Sequence, residues 1–155
     1  MPSKIAIGST MAREVVLDAN VIVAQLDGGD ALFDRARALG QRLREEGVEL
    51  VILDVTLSEA VSVLCRRARE RRGAPPDLSA ALAIVRGWAE SGVVRWVASE
   101  AERLVGPILD VVRDTGGRLN FNDALLAVLQ RENFIGEVAS FDQGFDVLPD
   151  IRRIV

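Results

Sequence analysis

Four acidic residues of this 155-residue chain lie at the end of a short apolar run or in the first turns of a helical pattern: Asp18, Glu59, Asp123 and Asp142. Carboxylates gathered at one place repel one another, and a hard divalent cation such as Mg²⁺ or Mn²⁺ relieves that repulsion. Such a cation can lower the pKa of water and stabilise negative charge on a phosphate. The four acids are therefore candidate catalytic residues and candidate metal ligands.

Alternating strands and helices would bring these acids together. Short apolar runs predict strands at residues 14–18, 48–54, 93–98, 137–141 and 151–155, the last of them at a sheet edge. Longer stretches with helical spacing lie between them, at residues 31–46, 55–72, 78–90, 101–114 and 122–132. This alternation predicts an α/β fold, a parallel β-sheet flanked by helices on both faces. Ligands bind at the carboxyl edge of such a sheet, and all four acids are expected to lie there.

The composition excludes several kinds of chemistry. Histidine is absent, which removes Ser-His-Asp catalysis and every histidine-based metal site. Cys65 is the only cysteine, so disulfides within the chain and cysteine-rich zinc sites are excluded. Lys4 is the only lysine and no G-x-G pair occurs, so a Walker A loop, a Schiff-base lysine and a Rossmann fingerprint have no candidates. Any enzymatic chemistry must use carboxylates, hydroxyls and arginines.

Length and composition fit one globular domain, with 49% hydrophobic and 27% charged residues. Residues 1–13 are interpreted as an N-terminal extension and residues 14–155 as the domain. No apolar run approaches the length needed to span a bilayer, and the opening stretch lacks the apolar core of a secretory signal. We therefore expect a cytoplasmic protein. The net charge of −4 argues against a general nucleic-acid coat protein, although it permits acids in a cleft with arginines around its rim.

Each acid also has a purely structural interpretation, because aspartate is a favoured N-cap and helix N-termini stabilise acidic side chains. Thr56 and Glu59 have the spacing of a capping box, which would make Glu59 structural. Asn120 and Asp123 have the same spacing, and Asp142 could cap a short helix. Residue spacing alone therefore leaves a metal site and a set of helix caps both open.

The acidic motifs resemble those of PIN-domain nucleases in order and spacing. They are Val-Val-Leu-Asp18-Ala-Asn20-Val, Leu-Ser58-Glu59-Ala-Val, Asn122-Asp123-Ala-Leu-Leu-Ala and Ser140-Phe-Asp142-Gln-Gly-Phe145. The resemblance covers residues 15–155 and is strongest to VapC-like toxins of toxin–antitoxin pairs. It implies a PIN-like fold, Mg²⁺- or Mn²⁺-dependent endoribonuclease activity that leaves 5′-phosphate and 3′-hydroxyl ends, an antitoxin partner and a homodimer.

The same resemblance implies roles for individual residues. The four acids would be catalytic and metal-binding, with Asp18 and Asp123 on the principal cation and the other two acting through water or on a second cation. Asn20, two residues after the first acid, and Ser140, two residues before the last, match supporting polar positions. Hydrolysis would proceed by in-line attack of water on the phosphodiester.

Arginines cluster at residues 66–72, and Arg66 follows Glu59 by seven residues, which puts both on one helix face. Arg66 is therefore a candidate contact for a substrate phosphate, although a solvated helix end explains the cluster equally well. The two tryptophans and five phenylalanines are predicted to fill the core rather than to stack on bases. The remaining acids near the motifs are predicted to be surface or capping residues: Asp27, Asp30, Asp34, Asp146 and Asp150.

Two other classes of protein stand beside the nuclease hypothesis. Phosphoryl-transfer enzymes of the response-regulator or haloacid-dehalogenase type also place an aspartate at a strand end. Their catalytic lysine has no counterpart here, and Asn20 occupies the place of the second acid in the dehalogenase D-x-D. The second alternative is a catalytically silent PIN-like binding module in RNA processing or protein assembly. The presence of all four acids argues against it.

Overall fold

A computed structural model describes residues 12–155, so residues 1–11 of the predicted extension lie outside the described part. Its strands are β1 (Glu14–Leu17), β2 (Glu49–Leu53), β3 (Val94–Arg95), β4 (Glu137–Ala139) and β5 (Arg153–Ile154). They form one sheet in the order β3-β2-β1-β4-β5, and every pairing is parallel. The five predicted strands are confirmed, each shorter than its apolar run, and β5 lies at the edge as predicted.

The helices alternate with the strands along the chain. They are α1 (Ala19–Leu26), α2 (Phe33–Glu45), α3 (Asp54–Glu70), α4 (Leu78–Ser91), α5 (Ala98–Arg103), α6 (Val105–Asp114) and α7 (Phe121–Arg131), followed by a 3₁₀ helix, Gln143–Val147. Four predicted helices agree with α2, α3, α4 and α7 to within two residues at each end. None of the helices in residues 12–155 is both long enough and apolar enough to cross a membrane.

Two parts of the helical prediction are wrong. The sequence pattern gave no helix between β1 and residue 31, yet α1 occupies this segment and buries most of its residues. A helix that is apolar nearly all round shows no 3.6-residue period, so periodicity cannot detect it. The predicted helix at residues 101–114 is two helices that meet at Leu104. Pro107 lacks the N–H that would bond to Arg103, so it fits the first turn of α6 and not the interior of one long helix.

Helices cover both faces of the sheet, which confirms the predicted α/β architecture. Val15 and Leu17 of β1 point to the face covered by α1 to α4, where they pack with a group that includes Ile22, Leu39, Leu43 and Leu64. Val16 points to the opposite face, covered by α5 to α7, where it packs with a group that includes Ile108, Leu119, Leu125 and Phe145. Successive residues of a strand point to opposite faces, so β1 serves both cores.

Strand β1 lies at the centre of the sheet, between β2 and β4. At the start of β4, a Cβ atom on Gly136 would clash with the carbonyl group of Glu14, so glycine permits the close approach of β4 to β1. At the other end, the backbone N–H of Asp18 donates to the carbonyl of Ala139 over 3.0 Å. The carboxyl ends of β1 and β4 therefore meet at one edge, and α3 begins beside them at the end of β2.

Candidate active site

Asp18 is the centre of a hydrogen-bond network at this edge. One carboxylate oxygen, Oδ1, accepts from the backbone N–H of Ala19 over 2.7 Å and so caps α1. The other, Oδ2, accepts from the hydroxyl of Ser140 over 2.6 Å and from the amide of Asn20 over 2.9 Å. Asp18 is 4% exposed and Ser140 is fully buried. These bonds hold the carboxylate of Asp18 in one orientation.

Ser140 and Asn20 also connect the first acidic motif to the last. The hydroxyl of Ser140 accepts from the amide of Asn20 and from the backbone N–H of Asp142, each over 3.0 Å. The Oδ1 atom of Asn20 accepts from the backbone N–H of Phe141 over 3.0 Å. Asp142 in turn caps the 3₁₀ helix by accepting from the N–H of Gly144 over 2.7 Å. The structure thus brings both predicted supporting residues next to Asp18, and the predicted capping role of Asp142 is confirmed.

Asp123 lies in the first turn of α7 and is 7% exposed. Asn120 caps this helix by accepting from the N–H of Asp123 over 3.0 Å, and Asp123 Oδ2 accepts from the N–H of Asn120 over 3.1 Å. The capping box predicted at this spacing is therefore confirmed. The capping box uses only Oδ2 of Asp123, and the charges of the other acids still act on the same carboxylate.

Glu59 is not part of a capping box, so that structural interpretation is wrong. Helix α3 begins at Asp54, which places Thr56 inside the helix, where its hydroxyl donates to the carbonyl of Leu53 over 3.0 Å. The carboxylate of Glu59 instead accepts from the side-chain amide of Asn122 on α7 over 2.8 Å. Sequence reasoning missed Asn122, since nothing in the pattern distinguishes an amide that faces Glu59 from one that faces solvent.

The pKa values of Asp18 and Asp123 are raised by burial and by the charges of the other acids. Burial, together with the charges of Glu59 and Asp142, raises the pKa of Asp18 to about 6, although its hydrogen bonds to Ser140 and Ala19 oppose that rise. Burial also raises the pKa of Asp123 to about 7, and the charges of the other three acids add to the effect. The acids predicted from the sequence to meet at one edge therefore influence one another through space.

No arginine in residues 12–155 forms an ion pair with any of these four acids. Buried charges are normally paired or bind a metal, and a bound cation would compensate the charges of Asp18 and Asp123. The atoms that these side chains offer to a metal are all oxygens, as Mg²⁺ and Mn²⁺ prefer. Within the described residues, no three acidic or cysteine side chains are grouped closely enough to form a ready-made metal site. The donor set fits a hard cation, whose charge would remove the repulsion among the acids.

Asp27 provides the contrast. It ends α1 at the C-cap position, as a capping residue would, but it is fully buried and does not lie on the surface. Its carboxylate accepts from Arg67 over 2.8 Å and from Arg71 over 2.8 and 2.9 Å. These two arginines and their hydrogen bonds hold the pKa of Asp27 below its usual range, against the effect of burial. Buried acids of this protein are thus compensated by arginine in one place and left uncompensated at the carboxyl edge.

A cavity of about 430 Å³ adjoins the acidic cluster between α1, the following loop and α3. Asn20 and Glu59 form part of its wall, and Arg67 and Arg71 form another part. Arg66, the predicted substrate contact, is exposed on α3 and does not line this cavity. Its role in substrate binding stays a prediction.

The prediction that the aromatic residues fill the core is wrong for several of them. Trp96 is 75% exposed, and Phe121 and Phe134 are also exposed. Phe145 alone among the described phenylalanines is fully buried, whereas Trp88 is partly buried. An aromatic residue type indicates a large hydrophobic side chain, but it does not indicate where the fold places that side chain. Trp96 lies in the short segment between β3 and α5.

Known proteins share the fold of this chain. No curated protein matches the chain. Among solved structures, the chain is similar to the crystal structure of VapC20 from Mycobacterium tuberculosis, described as a sarcin–ricin loop cleaving toxin. The sequences are 24% identical, the TM-score is 0.62, and the match covers 86% of this chain and 93% of that one. The family model of the PIN domain matches residues 15–151, and the chain therefore belongs to the PIN domain family.

Proposed function

We propose that this protein is a Mg²⁺- or Mn²⁺-dependent endoribonuclease and the toxin of a toxin–antitoxin pair. One observation carries the proposal: Asp18 and Asp123 are buried carboxylates with raised pKa values and no arginine partner in the described residues. Membership of the PIN domain family supports it, as does the similarity to a structure described as an RNA-cleaving toxin.

The proposed roles follow from the contacts of each side chain. Asp18 and Asp123 would hold the principal cation, and Glu59 and Asp142 would complete its surroundings or hold a second one. Ser140 and Asn20 orient Asp18 through the bonds described above. When bound, the cation would supply a lowered pKa for water and stabilisation of negative charge on the phosphate. The side chains themselves would give this edge its negative charge, since no arginine in residues 12–155 pairs with them.

Purified protein incubated with mixed RNAs tests the proposal. We expect cleavage with Mn²⁺ or Mg²⁺, none in EDTA, and recovery when either cation is added back. Asp18→Asn should abolish cleavage, and Asp34→Asn, which changes an exposed acid in the first turn of α2, should not. Full activity in chelator would contradict metal dependence. A protein that binds RNA or another protein but never cleaves would support the binding-module alternative instead.

The partners and location proposed for this protein follow from the same family relationship. We propose an RNA substrate, an antitoxin protein partner, a homodimer and a cytoplasmic location. Leu82 and Ile84 on α4 and Leu109 on α6 are exposed apolar residues that a dimer could cover. Light scattering at micromolar concentration should give the mass of a dimer, and a monomer at every concentration tested would contradict this part of the proposal.

Arg66 keeps its proposed role as a phosphate contact. Arg66→Ala should raise KM for RNA several-fold with little change in kcat, because an exposed arginine would bind substrate and transition state alike. Arg44→Ala removes an exposed arginine from α2 and is the matched control. Equal KM values for the two variants would show that Arg66 is only a solvated residue near the end of α3.

A further inference from the structure

Asn122 makes a contact that none of the roles above uses. It lies in the first turn of α7, partly buried, and its side-chain amide donates to Glu59 Oε2 over 2.8 Å. Glu59 belongs to α3, so this bond joins two helices that contribute acids to the cluster. Asp18, Asp123 and Asp142 each accept from a backbone N–H, whereas Glu59 has no such bond in the described residues. Within residues 12–155, the amide of Asn122 is the hydrogen-bond donor that restrains its carboxylate.

A restraint on Glu59 has a clear physical purpose. Glutamate has one more rotatable bond than aspartate, and its charge is repelled by the neighbouring acids, so an unrestrained carboxylate would turn toward solvent. An arginine could hold it, but an arginine would also cancel the negative charge that attracts a cation. The amide of asparagine is a neutral donor. It can orient Oε2 while the full charge of Glu59 remains and Oε1 stays free of this bond.

We propose that Asn122 is a positioning residue that holds Glu59 in the orientation needed for cation binding. This inference rests on the proposed function, because it assumes that a divalent cation binds among the four acids. Asn122 acts through Glu59 and makes no contact of its own with the cation. Hydrogen-bonding partners of metal-ligating side chains commonly change metal affinity by about tenfold or more when they are removed.

The test measures the Kd of Mn²⁺ directly, by calorimetry or by the electron paramagnetic resonance of free Mn²⁺, without RNA. Asn122→Ala should weaken Mn²⁺ binding by about tenfold while melting temperature in chelator stays close to wild type. In the Glu59→Ala background, adding Asn122→Ala should change the Kd by less than about twofold, because the residue through which it acts is gone. Gln41→Ala is the matched control, since it removes an exposed amide-to-carboxylate bond of 2.8 Å to Glu45 on α2.

A cleavage assay adds a second readout. The activity of Asn122→Ala should be recovered largely by raising Mn²⁺, with an unchanged KM for RNA, because mass action overcomes a weakened cation site. Equal Mn²⁺ affinity of wild type and Asn122→Ala would overturn the inference, and so would an equal loss in the Glu59→Ala background. Wild type that binds Mn²⁺ but cuts no RNA would contradict the proposed function alone. Wild type that binds no Mn²⁺ would contradict both.

Discussion

Three of the four acids accept a backbone N–H at a helix start, and the proposed function gives the same side chains a second task, the binding of a cation. Asp123 and Asp142 each accept a backbone N–H through one oxygen, and their second oxygens have no hydrogen bond in the described residues. Asp18 caps α1 through Oδ1 and meets Ser140 and Asn20 through Oδ2. A cap fixes the orientation of a carboxylate and leaves its charge intact. Capping and cation binding are therefore compatible at these positions; the capping interpretation is confirmed for Asp123 and Asp142, and the metal-binding interpretation stays a prediction.

Asp123→Asn separates these two tasks. Asparagine can keep the cap, and it removes one charge from a repulsive cluster. The metal-free variant should be as stable as wild type or more stable by about 1 kcal/mol. It should also lose most of the gain in melting temperature that Mn²⁺ gives wild type, together with nearly all RNA cleavage. Melting curves with and without Mn²⁺ check this. A variant that keeps both the Mn²⁺ shift and its activity would show that Asp123 is only a cap.

Ser140→Ala tests the support of Asp18. The buried hydroxyl donates to Asp18 and accepts from Asn20 and from the N–H of Asp142, so its loss leaves two donors without that acceptor. We expect a loss of about 1–3 kcal/mol in the free energy of unfolding, measured in denaturant, and weaker Mn²⁺ binding. Ser62→Ala, which removes a hydroxyl exposed on α3, should change neither quantity. Unaltered Mn²⁺ affinity in Ser140→Ala would contradict the supporting role.

Among the elements, α1 and α3 are joined by charge as well as by packing. Asp27 at the end of α1 and Asp30 in the loop that follows bind Arg67 on α3, and Asp27 also binds Arg71 just after α3. Asp18 caps the start of α1 and Glu59 lies on α3, so both helices carry site residues. The ion pairs connect the ends of these two helices, and we expect this connection to help hold Asp18 and Glu59 in place.

Asp27→Ala tests this link between elements. Removing the buried acid leaves the partly buried Arg71 without its ion-pair partner and leaves Arg67 with Asp30 alone, and we expect a loss of about 3 kcal/mol in the free energy of unfolding. Asp150→Ala breaks an exposed pair with Arg131 and should cost less than about 1 kcal/mol. Denaturant unfolding of both variants checks the difference. Equal losses would show that Asp27 contributes no more than a surface pair.

For the whole molecule, the distribution of charge matters more than the net charge of −4. Arginines pair with acids over much of the described surface, for example Arg153 with Asp146 and Arg131 with Asp150. At the carboxyl edge, four acids lie near one another and none of them has an arginine partner in residues 12–155. Folding therefore concentrates negative charge at one place, and the repulsion among these acids lowers the free energy of unfolding of the metal-free protein.

This cost predicts how stability depends on pH. The pKa values of Asp18 and Asp123 are about 6 and about 7 in the folded protein, above their ordinary value, so the folded state binds these protons more tightly than the unfolded chain. The free energy of unfolding without metal should therefore rise, by about 2–4 kcal/mol, as pH falls from about 8 to about 5. It should then fall in stronger acid, where Asp27 and Glu14, whose folded pKa values are lowered, take up protons.

Added Mn²⁺ should reverse the first trend, because a cation competes with the protons on Asp18 and Asp123. The stabilisation by Mn²⁺ should grow as pH rises from about 5 to about 8. Thermal unfolding across this pH range, with chelator and with Mn²⁺, measures both trends. Metal-free stability that increases steadily up to pH 8 would contradict the raised pKa values.

Much of this organisation could be predicted from the sequence. The alternation of apolar runs with helical spacing predicts the parallel sheet, and the acids at the ends of those runs predict where a site would lie. Helix α1 escaped prediction because a helix buried on most sides has no periodic pattern. Trp96 was wrongly predicted to be buried. Its residue type indicates that exposing the ring is unfavourable, but not whether the fold exposes it.

The sequence by itself determined which groups could do chemistry: four carboxylates with supporting polar residues, in a chain without histidine. Local patterns suffice for this, because strand ends and helix starts are set by neighbouring residues. The tertiary structure decided which acids are paired. Arg67 and Arg71 reach Asp27 from about 40 residues further along the chain, whereas no arginine reaches Asp18. Only folding sets distances between distant residues, and burial and charge depend on those distances, so the electrostatics of the site could not be derived from order along the chain.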